Sequence, residues 1–409
     1  MHPTPLLAHF DAADALWERY GPAEPDGAVI QVAGAFDHVD IEYAAIRRSC
    51  ALLDQPTRGT LELTGADRVS FLNRMVTQEL KNWPEHRARH AFWLNRKGRV
   101  DADLRLINLP GRVLVDVDAL VAAACAKSLE AFVIADDVTV RDVTVAWHRL
   151  ALHGPGAAAT LARHAQALAG PAPADLQPGE ACEVQVAGRH VVVDRCDSAG
   201  EIGLELWVQQ HQPGDIKAVF EALLADAHAP TPGHTGVNAR TLLRPIGWHA
   251  YNIARLEAGT PLFMLDFGPH SLPAETGALA SRVSFTKGCY LGQEVVARMH
   301  ALGKPKQVVV ALRVGEAPRE AGGDAPPAAP VLGAGMGVYL PGAAEPVGAV
   351  SSATTSPMLG GQAIALATVK TAHSAPGTAL EVGLPDNPAP SARQRASVQA
   401  QLAFWQRPA

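Results

Sequence analysis

Cysteine is sparse in this chain and unclustered. The 409 residues hold five cysteines, Cys50, Cys125, Cys182, Cys196 and Cys289, with no C-x-x-C pair and no His/Cys grouping at zinc-ligand spacing. That pattern excludes a disulfide framework, implies no structural metal and suits a reducing compartment. Excess positive charge is also missing: 35 Lys and Arg stand against 41 Asp and Glu, a net charge of −6. A general electrostatic footprint for nucleic acid is thereby excluded, and no direct nucleic-acid partner is expected. Long apolar runs are lacking too. The alanine-rich stretch Ala119 to Ala126 is far too short to span a bilayer, and Met1-His2-Pro3-Thr4-Pro5 has neither a basic n-region nor an apolar h-region. The reading is a cytoplasmic protein with no membrane partner. What the chain does have is length for two to three domains and 48% hydrophobic residues, ample for ordinary cores.

Periodicity along the chain alternates between helix and strand. An amphipathic segment is expected at Asp11 to Tyr20, helices at Asp40 to Arg48, after Gly65-Ala66-Asp67, and at Leu120 to Phe132, Ala157 to Ala169 and Asp215 to Ala227. Strands are expected at Gly59 to Leu63, Ala91 to Leu94, Ala102 to Ile107, Arg112 to Val117, Val138 to Val145 and Arg149 to Leu152. A hairpin over Glu183 to Val193 turns near Ala187-Gly188, and a strand follows at Ile202 to Val208. The order is of an α+β type, without the regular βαβ repeat of a parallel sheet. After Arg298, short β-rich runs at Val308 to Val314, Gly337 to Leu340, Val347 to Ser351 and Ile364 to Val369 lie among dense Pro and Gly, which reads as a compact β-barrel or sandwich. Residues from Asp386 onward read as a mobile tail in which Phe404 and Trp405 dock.

The richest run for chemistry is Lys287-Gly288-Cys289-Tyr290-Leu291-Gly292-Gln293-Glu294. Its glycines permit a tight turn or a close approach, and Lys287 stands near enough in sequence to favour the Cys289 thiolate. A loop that starts a helix, with Cys289 merely packed, would account for the same residues. The run continues through Val295-Val296-Ala297-Arg298, and the stretch from Val283 to Arg298 resembles the signature of the YgfZ-type folate-binding proteins. Those support iron–sulfur cluster maintenance on the fold of the glycine-cleavage T-protein, an aminomethyltransferase.

Further islands resemble the same superfamily. Gly200-Glu201-Ile202-Gly203-Leu204-Glu205 is similar to its G-E-x-G-[aromatic]-E segment, with Ser198 and Leu204 where tyrosine and an aromatic are usual. The resemblance implies that Glu201 holds the pterin of tetrahydrofolate, and a carboxylate suits a pterin's N–H edge. Arg255-Leu256-Glu257-Ala258-Gly259-Thr260-Pro261 resembles R-x-E-x-G-x-P, implying that Arg255 faces folate and Glu257 orders the loop. His153-Gly154-Pro155 and Gly348-Ala349-Val350-Ser351-Ser352 match architectural positions. In Asn95-Arg96-Lys97-Gly98-Arg99-Val100-Asp101-Ala102-Asp103-Leu104, aligned on N-x-x-G-G-x-x-D-D-L, the first aspartate has become Ala102 and the second is Asp103. Alanine can neither accept nor orient a proton, which bears against ordinary aminomethyl transfer.

The resemblance implies an α+β, three-domain T-protein-like fold around a central folate cavity, with a C-terminal β-barrel. Residues 1–50 and 148–300 would form a discontinuous folate-binding domain, 51–147 an inserted domain, 301–385 the barrel and 386–409 a tail. Cys289 and Asp103 are the candidate catalytic residues; Glu201, Arg255, Lys287, Gln293 and Arg298 are the candidate cofactor-binding residues. The implied cofactor is tetrahydrofolate or a one-carbon derivative, with a transient contact to an iron–sulfur cluster. Folate and iron–sulfur client or assembly proteins are the implied partners. The expected function is folate-dependent assistance to iron–sulfur cluster assembly or repair, and the alternative is a tetrahydrofolate-dependent aminomethyltransferase or related demethylase.

Overall fold

The structure is a computed structural model that describes residues 4–21, 29–225, 243–315, 332–384 and 393–405. The chain divides into two compact units. One comprises Met1–Trp93, Ala102–Ala254 and Thr286–Leu291, the other Leu94–Asp101, Arg255–Phe285 and Gly292–Ala409.

Two sheets dominate the first unit. Seven strands run in the order Ala165–Ala169, Ala181–Val186, Arg189–Arg195, Gly203–Gln209, Trp147–His153, Ala51–Asp54, Arg244–Ile246, antiparallel except for the last pair. Alternate residues Leu150, Leu152, Val191, Val193, Leu204 and Leu206 face a core closed by Leu161 of helix Ala157–His164 and by Val219 and Phe220 of helix Asp215–Leu224. Five strands form the second sheet, ordered Arg87–Leu94, Val100–Leu109, Arg112–Asp118, Arg58–Thr64, Thr139–Asp142. Its inner face, with Leu61, Leu63, Leu104 and Val115, is covered by Phe71 and Leu72 of helix Arg68–Met75 and Leu129 of helix Ala122–Glu130. The other face packs Ile107, Leu109 and Leu114 against Trp147, Val192 and Trp207 of the seven-stranded sheet. All five strands lie in sequence between Ala51–Asp54 and Trp147–His153, which are antiparallel neighbours in the larger sheet.

The second unit holds a closed six-stranded barrel, in the order Gln307–Val314, Gln362–Lys370, Pro346–Ser356, Gly337–Tyr339, Ala379–Gly383, Gln394–Val398. Strand alternation sends Val310, Leu312 and Val314 to the interior, while Val309 and Ala311 pack outside with Leu256, Ile364, Leu366, Leu402 and Phe404.

Several expectations need correction. The amphipathic segment Asp11 to Tyr20 divides: Leu7–Asp11 is a short helix that ends where the segment begins, and Leu16–Tyr20 is a strand paired with Ile30–Ala35. The alanine-rich helix stops at His164, since Ala165–Ala169 is captured as an edge strand against Ala181–Val186; pairing overrides alanine's helical preference. The strand read over Val138 to Val145 ends at Asp142 and gives way to a 3-10 turn at Thr144–Ala146. The segment read as a tail supplies the strand Gln394–Val398, which pairs with both Gln307–Val314 and Ala379–Gly383 and closes the barrel. Phe404 and Trp405 do dock, their backbone N–H groups donating to the Glu257 carbonyl at 2.8 and 2.9 Å. The start of that tail and most of the Pro/Gly-rich stretch from Pro318 lie outside the described residues.

Candidate functional site

The turn between strands Arg189–Arg195 and Gly203–Gln209 in the first unit positions Glu201. Asp197 organises it, accepting from the Gly203 N–H at 3.0 Å and from Arg195 Nε at 3.1 Å, and the Cys196 N–H closes it on the Gly203 carbonyl at 2.8 Å. Glycine is required at 203, where a Cβ would run into the Cys196 carbonyl. Glu201 is buried, with Arg47 Nη1 3.9 Å from its carboxylate. Arg47 is itself fixed by the Ala199 carbonyl at 2.8 Å and the Tyr43 hydroxyl at 3.1 Å. Close by, the Tyr251 hydroxyl donates to Ser198 Oγ at 3.0 Å, and the His153 ring stacks on Tyr251 with centroids 5.2 Å apart. His153 is fully buried and neither ring nitrogen has a hydrogen-bond partner among the described residues. Burial pushes its pKa down to about 4, outweighing the opposing pull of Asp197.

A buried charge network adjoins this turn. Arg105 pairs with Asp194 and donates to the Arg195 carbonyl at 2.9 Å, while Asp194 also accepts from Trp207 Nε1 at 2.9 Å. Arg105 also reaches His90 Nε2, and the same nitrogen lies 3.9 Å from Cys196 Sγ. Beside them, Arg149 lies 3.5 Å over the Trp207 ring and bonds Asp116 at 3.1 Å, with Glu205 at 3.6 Å. Burial pushes Glu205 up to about 7 although Arg149 opposes it. Sequence reasoning missed this assembly. Its members are scattered from 90 to 207, and only the alternation of Asp103 and Arg105 with apolar residues along one strand hinted at a polar face.

The remaining candidates divide between the units. Ala102 is fully buried in the core with Leu104 and Leu106, and Asp103, half-buried, alternates with them. Lys287 does not direct its ammonium at the neighbouring thiol, as expected from sequence. Its Nζ donates to the carbonyls of Asn73, Val76 and Gln78 at 2.7, 2.7 and 2.8 Å, where helix Arg68–Met75 ends. It thereby satisfies carbonyls that a helix end leaves without partners, and burial pulls its pKa down to about 8. Cys289 is exposed. In the second unit, Gln293 is half-buried and Arg298 exposed on helix Gln293–Leu302, which Gly292 begins at φ +80°. Arg255 is fully buried there, paired with Asp266 and donating to Ser352 Oγ at 2.6 Å and the Thr260 carbonyl at 3.2 Å. Glu257 accepts from Ser356 Oγ at 2.5 Å.

Residues 15–287 match the GCVT N-terminal domain model, and residues 323–397 the glycine cleavage T-protein C-terminal barrel domain model. The chain belongs to the glycine-cleavage T-protein family. Among its relatives, an aminomethyltransferase of Streptomyces avermitilis is 30% identical over 380 residues, covering 90% of this chain and 91% of that protein. An aminomethyltransferase of Listeria monocytogenes is 27% identical, covering 90% and 92%. The fold agrees with the crystal structure of the glycine cleavage system aminomethyltransferase T from Bartonella henselae, with a TM-score of 0.79, 22% identity and 99% of each chain covered. A T-protein fold with a closed six-stranded C-terminal barrel is therefore established. Among the described residues no helix is long and apolar enough to cross a membrane.

Proposed function

We propose that this protein binds tetrahydrofolate through Glu201 and acts as a folate-dependent one-carbon transferase of the aminomethyltransferase type. The observation that carries the reading is the buried Glu201 carboxylate, set on a rigid turn with Arg47 behind it, in a chain matched almost end to end by aminomethyltransferases. The acceptor fits the cofactor: a buried carboxylate matches the N–H edge of a pterin, and Tyr251, Ser198 and His153, whose ring nitrogens have no hydrogen-bond partner among the described residues, surround the same turn with polar atoms. Tetrahydrofolate would supply the amine nitrogen that takes up the one-carbon unit. Glu201 would bind and orient the pterin, with Arg47 held behind its carboxylate. Arg255, taken up by Asp266 and Ser352, is assigned to holding its own segment in place. With Ala102 in the core, this chain must manage protons at the folate nitrogen without the first family aspartate; the half-buried carboxylates of Asp101 and Asp103 flank that place in sequence.

Calorimetry with tetrahydrofolate tests the binding reading. Losing a charge-assisted contact is worth about 1.5–3 kcal/mol, so Glu201→Ala should weaken affinity roughly tenfold or more. Undiminished affinity would overturn the assignment of Glu201. A second reading, the YgfZ-type role in iron–sulfur cluster maintenance, is favoured by the exposed Cys289 in its K-G-C-Y-L-G-Q-E run. A deletion strain assayed side by side for glycine cleavage and iron–sulfur enzyme activity separates the two: a glycine-cleavage deficit supports the transferase, an iron–sulfur deficit the second reading.

A further inference from the structure

We propose that the second unit carries a docking site for an acidic segment of a partner protein, which anchors one apolar side chain in a pocket beside helix Gln293–Leu302. Counting its open mouth, the pocket holds about 270 Å³ of space between that helix and the segment that begins at Leu272. Leu272, Leu279, Val295, Val296 and Met299 line it, and Phe285 and His300 form one wall, stacked with ring centroids 3.8 Å apart. Of the side chains that line it, His300 alone is polar. Phe285 is 43% exposed, a large apolar ring left facing solvent beside the pocket.

The charge around the pocket indicates what covers it. The loop Asn95 to Arg99 rests on the helix: Gly98, at φ +68°, lies so close that a Cβ there would meet Val295 Cβ at 2.6 Å. Arg96, Lys97 and Arg99 are all exposed on this loop, and Arg298 is exposed one turn along the helix from Val295. Arg99 also donates to the His270 carbonyl, two residues before Leu272 of the lining. None of these four cations has a carboxylate partner among the described residues. Residues 94–101, 270–285 and 292–306, which build the pocket and its surroundings, hold seven Arg and Lys against three acids, Asp101, Glu275 and Glu294. Two of those acids are engaged, Asp101 accepting from Asn95 Nδ2 at 2.8 Å and Glu275 from the Leu272 N–H at 2.9 Å. A chain of net charge −6 thus gathers a local surplus of positive charge around an apolar pocket.

An acidic polypeptide meets both features at once. Its carboxylates face Arg96, Lys97 and Arg298, while one leucine- or phenylalanine-sized side chain fills the pocket as an anchor. A nucleic-acid base has a polar edge that needs hydrogen-bond partners, and the lining offers only the ring nitrogens of His300. A lipid surface is entered by protruding apolar residues and has nothing to place in a concave pocket. The site shares no residue with the Glu201 turn and stands independently of the folate reading.

The test titrates a synthetic peptide of acidic residues with one central leucine into the full chain, labelled with carbon-13 at its methionine methyl groups. The Met299 signal, assigned by its loss in Met299→Leu, should shift as the peptide binds. Replacing the peptide's leucine by serine should weaken binding about tenfold, the effect of leaving one apolar side chain out of a pocket. Arg96→Glu combined with Lys97→Glu, both at exposed positions, should weaken it by about the same factor, and circular dichroism checks that the variant is folded. Raising the ionic strength should weaken binding of the acidic peptide too. A lysine-rich peptide with the same central leucine, poly(U) RNA and phosphatidylglycerol vesicles serve as controls, and none should move Met299. No shift with the acidic peptide, equal binding by the serine peptide, binding indifferent to the double variant, or a stronger response to RNA or vesicles overturns the proposal.

Discussion

Acid should destabilise the first unit through His153, and the size of the effect follows from its surroundings. The ring is fully buried, stacked on Tyr251 and without a hydrogen-bond partner among the described residues, so it folds as neutral imidazole. Its pKa falls from 6.5 to about 4. In the unfolded chain the group takes up a proton near 6.5, so between pH 6.5 and 4 the unfolded state binds more protons and stability drops as pH falls. At about 1.4 kcal/mol per unit the full loss is on the order of 3 kcal/mol, complete below pH 4. His153→Phe retains an aromatic partner for Tyr251 and removes both unpartnered nitrogens. Urea denaturation at intervals from pH 4 to 7.5 should show the wild type losing about 3 kcal/mol relative to the variant over that window. Overpacking by phenylalanine would lower every point equally and leave the difference in slope intact. Glu205, raised to about 7, acts in the opposite direction between pH 4.5 and 7, but it is common to both proteins and cancels in the comparison. Parallel stability curves would refute the reasoning.

Lys287→Met should remove the ammonium that donates to three carbonyls at the end of helix Arg68–Met75 and cost on the order of 3 kcal/mol, read as a fall in melting temperature; an unchanged Tm would show that the ammonium is dispensable there. Ala102→Asp places a carboxylate in a fully buried core position, so we expect several kcal/mol of destabilisation by chemical denaturation and no gain in transfer activity; a stable, more active variant would show that residue 102 reaches the reacting centre after all.

Much of this architecture was legible because it rests on local chemistry. The hairpin at Ala187-Gly188 forms where two consecutive residues take positive φ, 49° and 74°, and the helix beginning at Gln293 starts where Gly292 does the same. The strands of the five-stranded sheet show period-two alternation, and barrel strands such as Gln307–Val314 stand out as apolar runs between turns. What could not be read depends on distant partners. Ala165–Ala169 is a strand only because Ala181–Val186 presents an open edge, and Gln394–Val398 is ordered by two barrel strands rather than by its own polar sequence. The same holds at the site. Glu201 could be read from its motif, but Arg47 lies about 150 residues away, and Lys287 turned out to serve a helix end more than 200 residues upstream. Cys196 carried no motif of its own, because its setting is assembled by His90 and Arg105 from other strands.

The nesting of one sheet within a hairpin of the other bears on how the chain finds its fold. Asp54 pairs across from Leu150, so this contact closes a loop on the order of a hundred residues long. Closing such a loop from an unstructured chain carries an entropy penalty whose length-dependent part is about 4 kcal/mol. If the five-stranded sheet forms first, its own packing brings the two ends together, and the hairpin then closes over a short effective distance. Mutations in that sheet's core should therefore slow the assembly of the seven-stranded sheet as well, although they touch none of its strands.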